Sequence, residues 1–158
     1  MYCYMKRDSR LSGVLHVLLH MAEQPGPHTS ETLALAMNTN PVVVRRIMAG
    51  LREQGFLRSQ KGHGGGWTIA CDFSRTTLRD IYEALGEPEI LAMGNRTETP
   101  GCLVEQAVNA ALGSAFDAAE AMLLTRFGEV TLADLSADFH VRMAGHTTPP
   151  TLENEHGA

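Results

Sequence analysis

Two kinds of side chain in this 158-residue chain are spaced so that they could do chemistry. The first are cations. Arg45, Arg46 and Arg52 fall within about two helical turns, and Lys61 follows in Lys61-Gly62-His63-Gly64-Gly65-Gly66. Guanidinium and ammonium groups at this density bind phosphate, and a guanidinium can also grip guanine bidentately. The second is the thiol of Cys102, which follows Pro100-Gly101 and opens a helical stretch. A helix N-terminus stabilises a thiolate through its free N–H groups and its dipole. Cys102 is therefore a candidate sensor of oxidants or electrophiles, with a disulfide across a dimer as one route. Packing as a small apolar residue is the competing reading. His16 and His20, at i and i+4, have a spacing that can hold a metal. No third ligand is evident near them and the glutamate of a zinc-protease motif is absent, so we read them as surface or partly packed histidines.

The elements that must carry the cations follow from periodicity. Asn40 is a good N-cap, and Pro41 suits the first helical position, where its missing N–H is not needed. Val44, Ile47, Met48 and Leu51 then form one apolar stripe, with Val42, Arg46 and Ala49 pointing away from it and Arg45 on its flank. Gly55 stands where such a helix ends. Phe56 to Gln60 predicts a strand, residues 61–66 a flexible tip, and Trp67 to Ala70 the returning strand. Upstream, Thr29 or Ser30 caps a short helix with Leu33, Ala34 and Met37 inside, and Asn38-Thr39-Asn40 makes a tight polar turn. Two short helices and then a basic hairpin predict a winged helix-turn-helix. Its second helix can enter the major groove while the hairpin reaches the neighbouring backbone or minor groove.

The remaining chain fits around this unit. Leu11, Val14, Leu15, Leu18, Leu19 and Ala22 predict a first helix over 9–23, with Ser9 as its N-cap and Pro25-Gly26-Pro27 as its stop. Thr77-Leu78-Arg79-Asp80 has capping-box spacing and opens a helix to about Leu85, and Gly86 and Pro88 end it. From Leu103 to about Phe127 one long helix is expected. Val104, Val108, Ala111, Ala115, Ala118 and Met122 form a heptad-like seam, with Leu112, Phe116, Ala119 and Leu123 as a second stripe. A helix with two apolar stripes can serve its own subunit and a partner, so a homodimer built on it is expected; a helix covering only its own subunit competes. Thr131-Leu132-Ala133-Asp134 opens a last short helix. The expected organisation is a winged-helix domain at 5–86, an effector or sensor loop at 87–101, the dimerisation and terminal helices at 102–143, and a disordered tail at 144–158. The fold class is mainly α with a small β-hairpin.

Composition narrows the function. At 44% hydrophobic and 20% charged, the chain is that of an ordinary globular protein. It has no stretch long and apolar enough to span a bilayer and no signal-peptide core, so a cytoplasmic protein without a membrane partner is expected. Three scattered cysteines are not a disulfide framework. The net charge of −5 divides unevenly: residues 1–79 carry +5 and residues 80–158 carry −10. A basic half that coincides with the helix and hairpin suits a phosphate-bearing partner. An enzyme is not expected. His63-Gly64-Gly65-Gly66-Trp67 resembles an esterase oxyanion loop, yet the Gly-x-Ser-x-Gly elbow is absent. No Lys-Ser/Thr follows the glycines, so a nucleotide-binding P-loop is absent too. A winged helix acting purely as a protein adaptor is the main rival; the basic outer face of the second helix argues against it.

Lys6-Arg7-Asp8-Ser9-Arg10-Leu11, the hairpin Ser59 to Trp67, Leu78-Arg79-Asp80-Ile81 and Thr131 to Leu135 together resemble the Rrf-two family of bacterial winged-helix transcriptional regulators. The resemblance runs from about Met5 to Phe139, and the Gly-Gly-Gly-aromatic hairpin is its most specific part. It implies a homodimer on a palindromic double-stranded DNA operator, acting as repressor or activator. It places DNA contacts at Asn40 to Arg46, including Val42, Arg45 and Arg46, and at Lys61 with Ser59, Gly62 and His63 beside it. Ser9, Arg10 and Arg52 complete the expected contact set. Where the family usually has arginine this chain has Lys61, which keeps the charge and loses the planar fork. Cluster-binding members carry three cysteines before the long helix; here only Cys102 stands there. One thiolate cannot hold an iron–sulfur cluster, so no cofactor is expected, and either a thiol switch at Cys102 or a small-molecule effector would carry the signal.

Overall fold

The structure, a computed structural model, describes residues 8–91 and 101–146. Six helices and one hairpin follow in the order α1 (Arg10–Glu23), α2 (Ser30–Ala36), α3 (Pro41–Glu53), β1 (Leu57–Gln60), β2 (Gly66–Ile69), α4 (Leu78–Ala84), α5 (Leu103–Glu129) and α6 (Leu132–Ala144). The core lies where α1, α2, α3, the hairpin and α4 meet. Val14, Val17 and Leu18 of α1 close on Leu33 of α2, Val44, Met48 and Leu51 of α3, Leu57 of β1 and Ile81 of α4. Leu132 at the start of α6 reaches the same cluster. Burying each such side chain contributes roughly 1.5–3 kcal/mol relative to leaving it exposed, which fixes the rotation of every helix about its axis.

The caps are those the side chains permit. Thr29 Oγ1 accepts the Thr32 N–H, which leaves Ser30 for another task. Asn40 Oδ1 accepts the Val43 N–H at 3.0 Å, with Pro41 at the first helical position. α3 closes with the Phe56 N–H reaching back to the Leu51 carbonyl at 2.9 Å. Ser9 occupies the N-cap position of α1 but makes no capping bond; Asp8 Oδ1 accepts the Arg10 N–H instead. The same carboxylate also takes the Arg10 guanidinium.

β1 and β2 pair antiparallel, from Leu57 opposite Ile69 to Gln60 opposite Gly66. The strands are one residue off the expected bounds at Phe56, at Gly66, which joins β2 instead of the tip, and at Ala70. The ladder nonetheless continues irregularly, since the Ala70 and Cys71 N–H groups both donate to the Phe56 carbonyl. On the other edge of β2, His28 and Trp67 exchange both backbone bonds. The stretch before α2 therefore acts as a third, single-residue strand.

Two glycines of the hairpin are explained by close approach. A Cβ on Gly66 would lie 2.4 Å from the His28 carbonyl oxygen, and one on Gly65 would lie 2.3 Å from that of Gln60. The run Gly64-Gly65-Gly66-Trp67 thus lets the hairpin press against the chain before α2. Trp67 then turns inward and donates its indole N–H to Ser30 Oγ at 3.0 Å.

The capping boxes at Thr77/Asp80 and Thr131/Asp134 both form. They lie side by side: Thr77 and Thr131 are bridge partners, the Leu78 N–H donates to Val130 O, and the Leu132 N–H donates to Thr76 O. This pairing ties the junction of α5 and α6 to the start of α4.

α5 is longer than expected, 27 residues to Glu129, and none of its residues is buried. Its half-buried side carries Phe116, Glu120, Leu123 and Phe127, with Phe127 6.2 Å from the Tyr82 ring of α4. The second apolar stripe is thereby corrected. Phe116 and Leu123 face the subunit, whereas Leu112 and Ala119 are exposed, because the helix turns its Glu120 side toward α4. Every residue of the heptad seam from Val104 to Met122 is exposed. α6 is 13 residues long and ends at Ala144, the first residue of the expected tail; residues 147–158 of that tail lie outside the described residues. So do residues 92–100 of the expected sensor loop, and Met5 with its neighbours. Among the described residues no helix is long and apolar enough to cross a membrane.

Candidate nucleic-acid interface

α3 is held by its buried stripe and presents the opposite side to solvent. Val42 is 61% exposed, and Arg45 and Arg46 are exposed with it. Ala49, expected on this outer face, is half-buried against the core. The two arginines differ. Arg45 Nη2 donates to Glu31 Oε1 of α2 at 2.7 Å, both side chains being exposed. Arg46 makes no ion pair or hydrogen bond through its guanidinium among the described residues. A surface pair such as Arg45–Glu31 is worth about 0–1 kcal/mol, so a phosphate could displace it.

Arg52, in the last turn of α3, leans to the hairpin. Its Nη1 donates to Ser59 Oγ at 3.2 Å, and its guanidinium carbon lies 5.9 Å from the Trp67 ring centroid. Two of the expected contact residues, Arg52 and Ser59, are thus in direct contact. They join the recognition helix to the wing, so Arg52 has a positioning task as well as a charge. Lys61, Gly62 and His63 stand exposed at the hairpin tip, where the Gly65 N–H donates to the Gly62 carbonyl. Asn40 keeps its side-chain oxygen for the cap, leaving its amide nitrogen to face outward contacts.

Ser9 and Arg10 are placed differently. The Arg10 guanidinium is held by Asp8, with Nη2 2.6 Å and Nε 3.0 Å from Oδ2. Hydrogen bonding from Arg10 holds the Asp8 carboxyl below its usual range, and the same bond pushes the Arg10 guanidinium up. Among the described residues neither Ser9 nor Arg10 hydrogen-bonds to α3 or to the hairpin. Glu31, Ser30 and His28 were not expected in the site. Their roles depend on contacts from 14 to 39 residues away, which no local spacing signals.

Cys102 is the exposed N-cap residue of α5 and makes no side-chain cap bond. Cys71 is half-buried against the core, and burial pushes its thiol up. His16 and His20 meet with Nε2 atoms 3.0 Å apart, and His20 is buried. Among the described residues no group of three or more His, Cys, Asp or Glu side chains is placed to hold a metal.

A cleft of about 220 Å³ opens between the start of α1, α4, the segment after it, and α5. Its lining includes Pro88, Glu89 and Ile90 from the described start of the expected effector or sensor loop.

A short helix braced by a second one, with a basic face outward and a glycine-tipped hairpin locked to its C-terminal end, defines a winged helix-turn-helix regulator. The family comparison agrees. The Rrf2 (Rrf-two) family model, described as iron-dependent transcriptional regulator, matches residues 7–138, and the chain belongs to this family. It is 29% identical over 130 residues to YwnA of Bacillus subtilis, named as an HTH-type transcriptional regulator, covering 81% of this chain and 95% of that one. A transcriptional regulator from Lactobacillus plantarum has the same fold, with a TM-score of 0.68 at 24% identity over 84% of this chain and 90% of that one. T. potens IscR superposes with a TM-score of 0.60 at 19% identity, over 92% and 95% of the two chains.

Proposed function

We propose that the protein is a sequence-specific repressor that binds a palindromic operator as a homodimer. The observation that carries this reading is the outward face of α3. Arg46 and Val42 project from a helix whose other side is fully packed, beside a hairpin tip bearing Lys61. Arg46 reads guanine, Val42 touches a thymine methyl, and Arg45, Arg52 and Lys61 take phosphate, with Asn40, Ser59, Gly62 and His63 in reach of the backbone. Arg10, held by Asp8, contributes charge from the start of α1. The dimer reading is supported by α5, where Leu103 and Met122 are 77% and 75% exposed. Such a row of apolar residues is explained by a partner helix.

The test is a fluorescence anisotropy titration against DNA upstream of the protein's own gene, across a salt series. Arg46→Ala should weaken binding at least about tenfold, or about 1.4 kcal/mol. Unchanged affinity in that variant would refute the docking.

For the signal, the reading is a cluster-free thiol switch. The family description invokes iron, but the described cysteines are Cys71, half-buried at the end of the wing, and Cys102 on α5. This donor set does not fit a cluster, which normally needs four protein ligands. Two Cys102 thiols, one per protomer, would reduce one peroxide to two waters and join as a disulfide. Mild peroxide should then abolish operator binding in the wild type and not in Cys102→Ser. Equal loss, or no loss, in both proteins would discard the switch and leave a small-molecule effector.

A further inference from the structure

We infer that the cleft between α1, α4 and α5 is a binding site for a small organic cation, an amine carried on an apolar body. The inference is independent of how the protein meets DNA. The walls are apolar and aromatic: Leu11 from α1, Tyr82 from α4, and Leu123 and Phe127 from α5. The Tyr82 and Phe127 rings are inclined at 59° with centroids 6.2 Å apart, so they form an angled wall rather than a filled stack.

The ionisable side chains that line this wall among the described residues include two carboxylates. Asp8 and Glu89 line the cleft. Asp8 is neutralised by Arg10, but Glu89 has no ion pair among the described residues. Burial pushes the Tyr82 hydroxyl up, and the charges of Glu120 of α5 and of Glu87 act in the same direction. The Tyr82 O–H donates to the Pro88 carbonyl at 3.0 Å, so it presents an oxygen lone pair rather than a proton. Among the described residues no lysine, arginine or histidine lines the cleft.

This combination selects by charge. An anion would meet Glu89 with no cationic donor among the lining residues described to receive it. A neutral apolar molecule would gain burial alone. A cation gains burial, the aromatic wall and the uncompensated Glu89 carboxylate together. Size sets the class further. An apolar cavity of about 150 Å³ accepts benzene, so about 220 Å³ accommodates one ring with a short aminoalkyl arm. A ligand lodged there would touch α1 and α4 of the DNA-reading unit and α5 at once, and so would set the angle between them.

Two-dimensional NMR of the full-length protein tests this with three matched probes: 2-phenylethylamine, neutral 2-phenylethanol and anionic 3-phenylpropanoate. The amine should shift the signals of Leu11, Tyr82, Leu123 and Phe127 saturably, with an affinity at least about tenfold above either isostere. Glu89→Gln, a change at an exposed residue, should narrow that preference severalfold, and Leu123→Trp should abolish the shifts by filling the cleft. Absence of saturable shifts at these residues, or equal binding of the three probes, overturns the assignment. Because binding is read on the protein itself, failure to bind DNA would leave this result intact.

Discussion

Arg45 and Arg46 are neighbours in sequence and unlike in surroundings. Arg46 projects freely, while Arg45 leans back to Glu31 on α2. Glu31 sets a negative charge beside the surface proposed to face phosphate, so it restrains indiscriminate binding. Glu31→Gln should raise affinity for random-sequence DNA severalfold at about 0.1 M salt. The gain arises because Arg45 no longer gives up a carboxylate partner when it engages a phosphate. Unchanged or weaker binding would contradict that role. The spacing of Val44, Ile47, Met48 and Leu51 puts Arg46 on the outer side of α3 and Arg45 on the flank of the apolar stripe. It could not supply Arg45's partner, since Glu31 lies 14 residues away on another helix. Ala49 shows the limit of helical angle alone: it lies opposite the stripe, yet α3 is packed widely enough to cover it. Gly66 was legible as part of a motif, and only the fold supplies its cause, the His28 carbonyl. Gly66→Ala should therefore destabilise the protein by about 1–3 kcal/mol in a denaturant melt and loosen the hairpin.

The helices were legible where caps and periodicity agree. Asn40, Thr77 and Thr131 each cap the helix their spacing predicts. Ser9 stands at the N-cap position but makes no side-chain cap bond; the first-turn donor that a side chain does satisfy is the Arg10 N–H, taken by Asp8. The two capping boxes acquire a meaning that local sequence does not contain, since Thr77 and Thr131 pair and clamp the α5–α6 junction to α4. Thr77→Ala should lower unfolding free energy by about 0.5–2 kcal/mol. Asp134 adds a pH dependence. Hydrogen bonds from Thr131 hold its carboxyl below the ordinary value of 3.8 in the folded state. Its contribution to stability is thus complete above the unfolded pKa of about 3.9 and is lost as pH falls through the lower folded value. Urea melts from pH 5 downward should show a smaller acid loss in Asp134→Asn than in the wild type.

At the scale of the molecule, the chain divides by function more than by shape. The basic half builds the packed winged-helix unit, and the acidic half builds a long helix with an apolar outer row; residues of both halves line the cleft at its inner side. The exposure of Val104, Val108 and Met122 in a single chain is the feature that a dimer would resolve. Met122→Asp should leave the helical content intact and halve the particle mass in sedimentation, from a dimer toward the 17.2 kDa monomer. A wild type already monomeric at micromolar concentration would contradict the dimer. Sequence periodicity signalled the seam but not which stripe faces inward, because the choice is made by α4 through Tyr82 and Phe127.

The central claim is that α3 and its wing read sequence as a symmetric pair. Selection of bound DNA from a random duplex pool tests it most directly. The account predicts enrichment of one inverted repeat, bound in a salt-dependent manner and at least about tenfold more weakly by a folded Arg46→Ala protein. A pool that emerges with no enriched sequence, or an enriched sequence bound equally by Arg46→Ala, would contradict it.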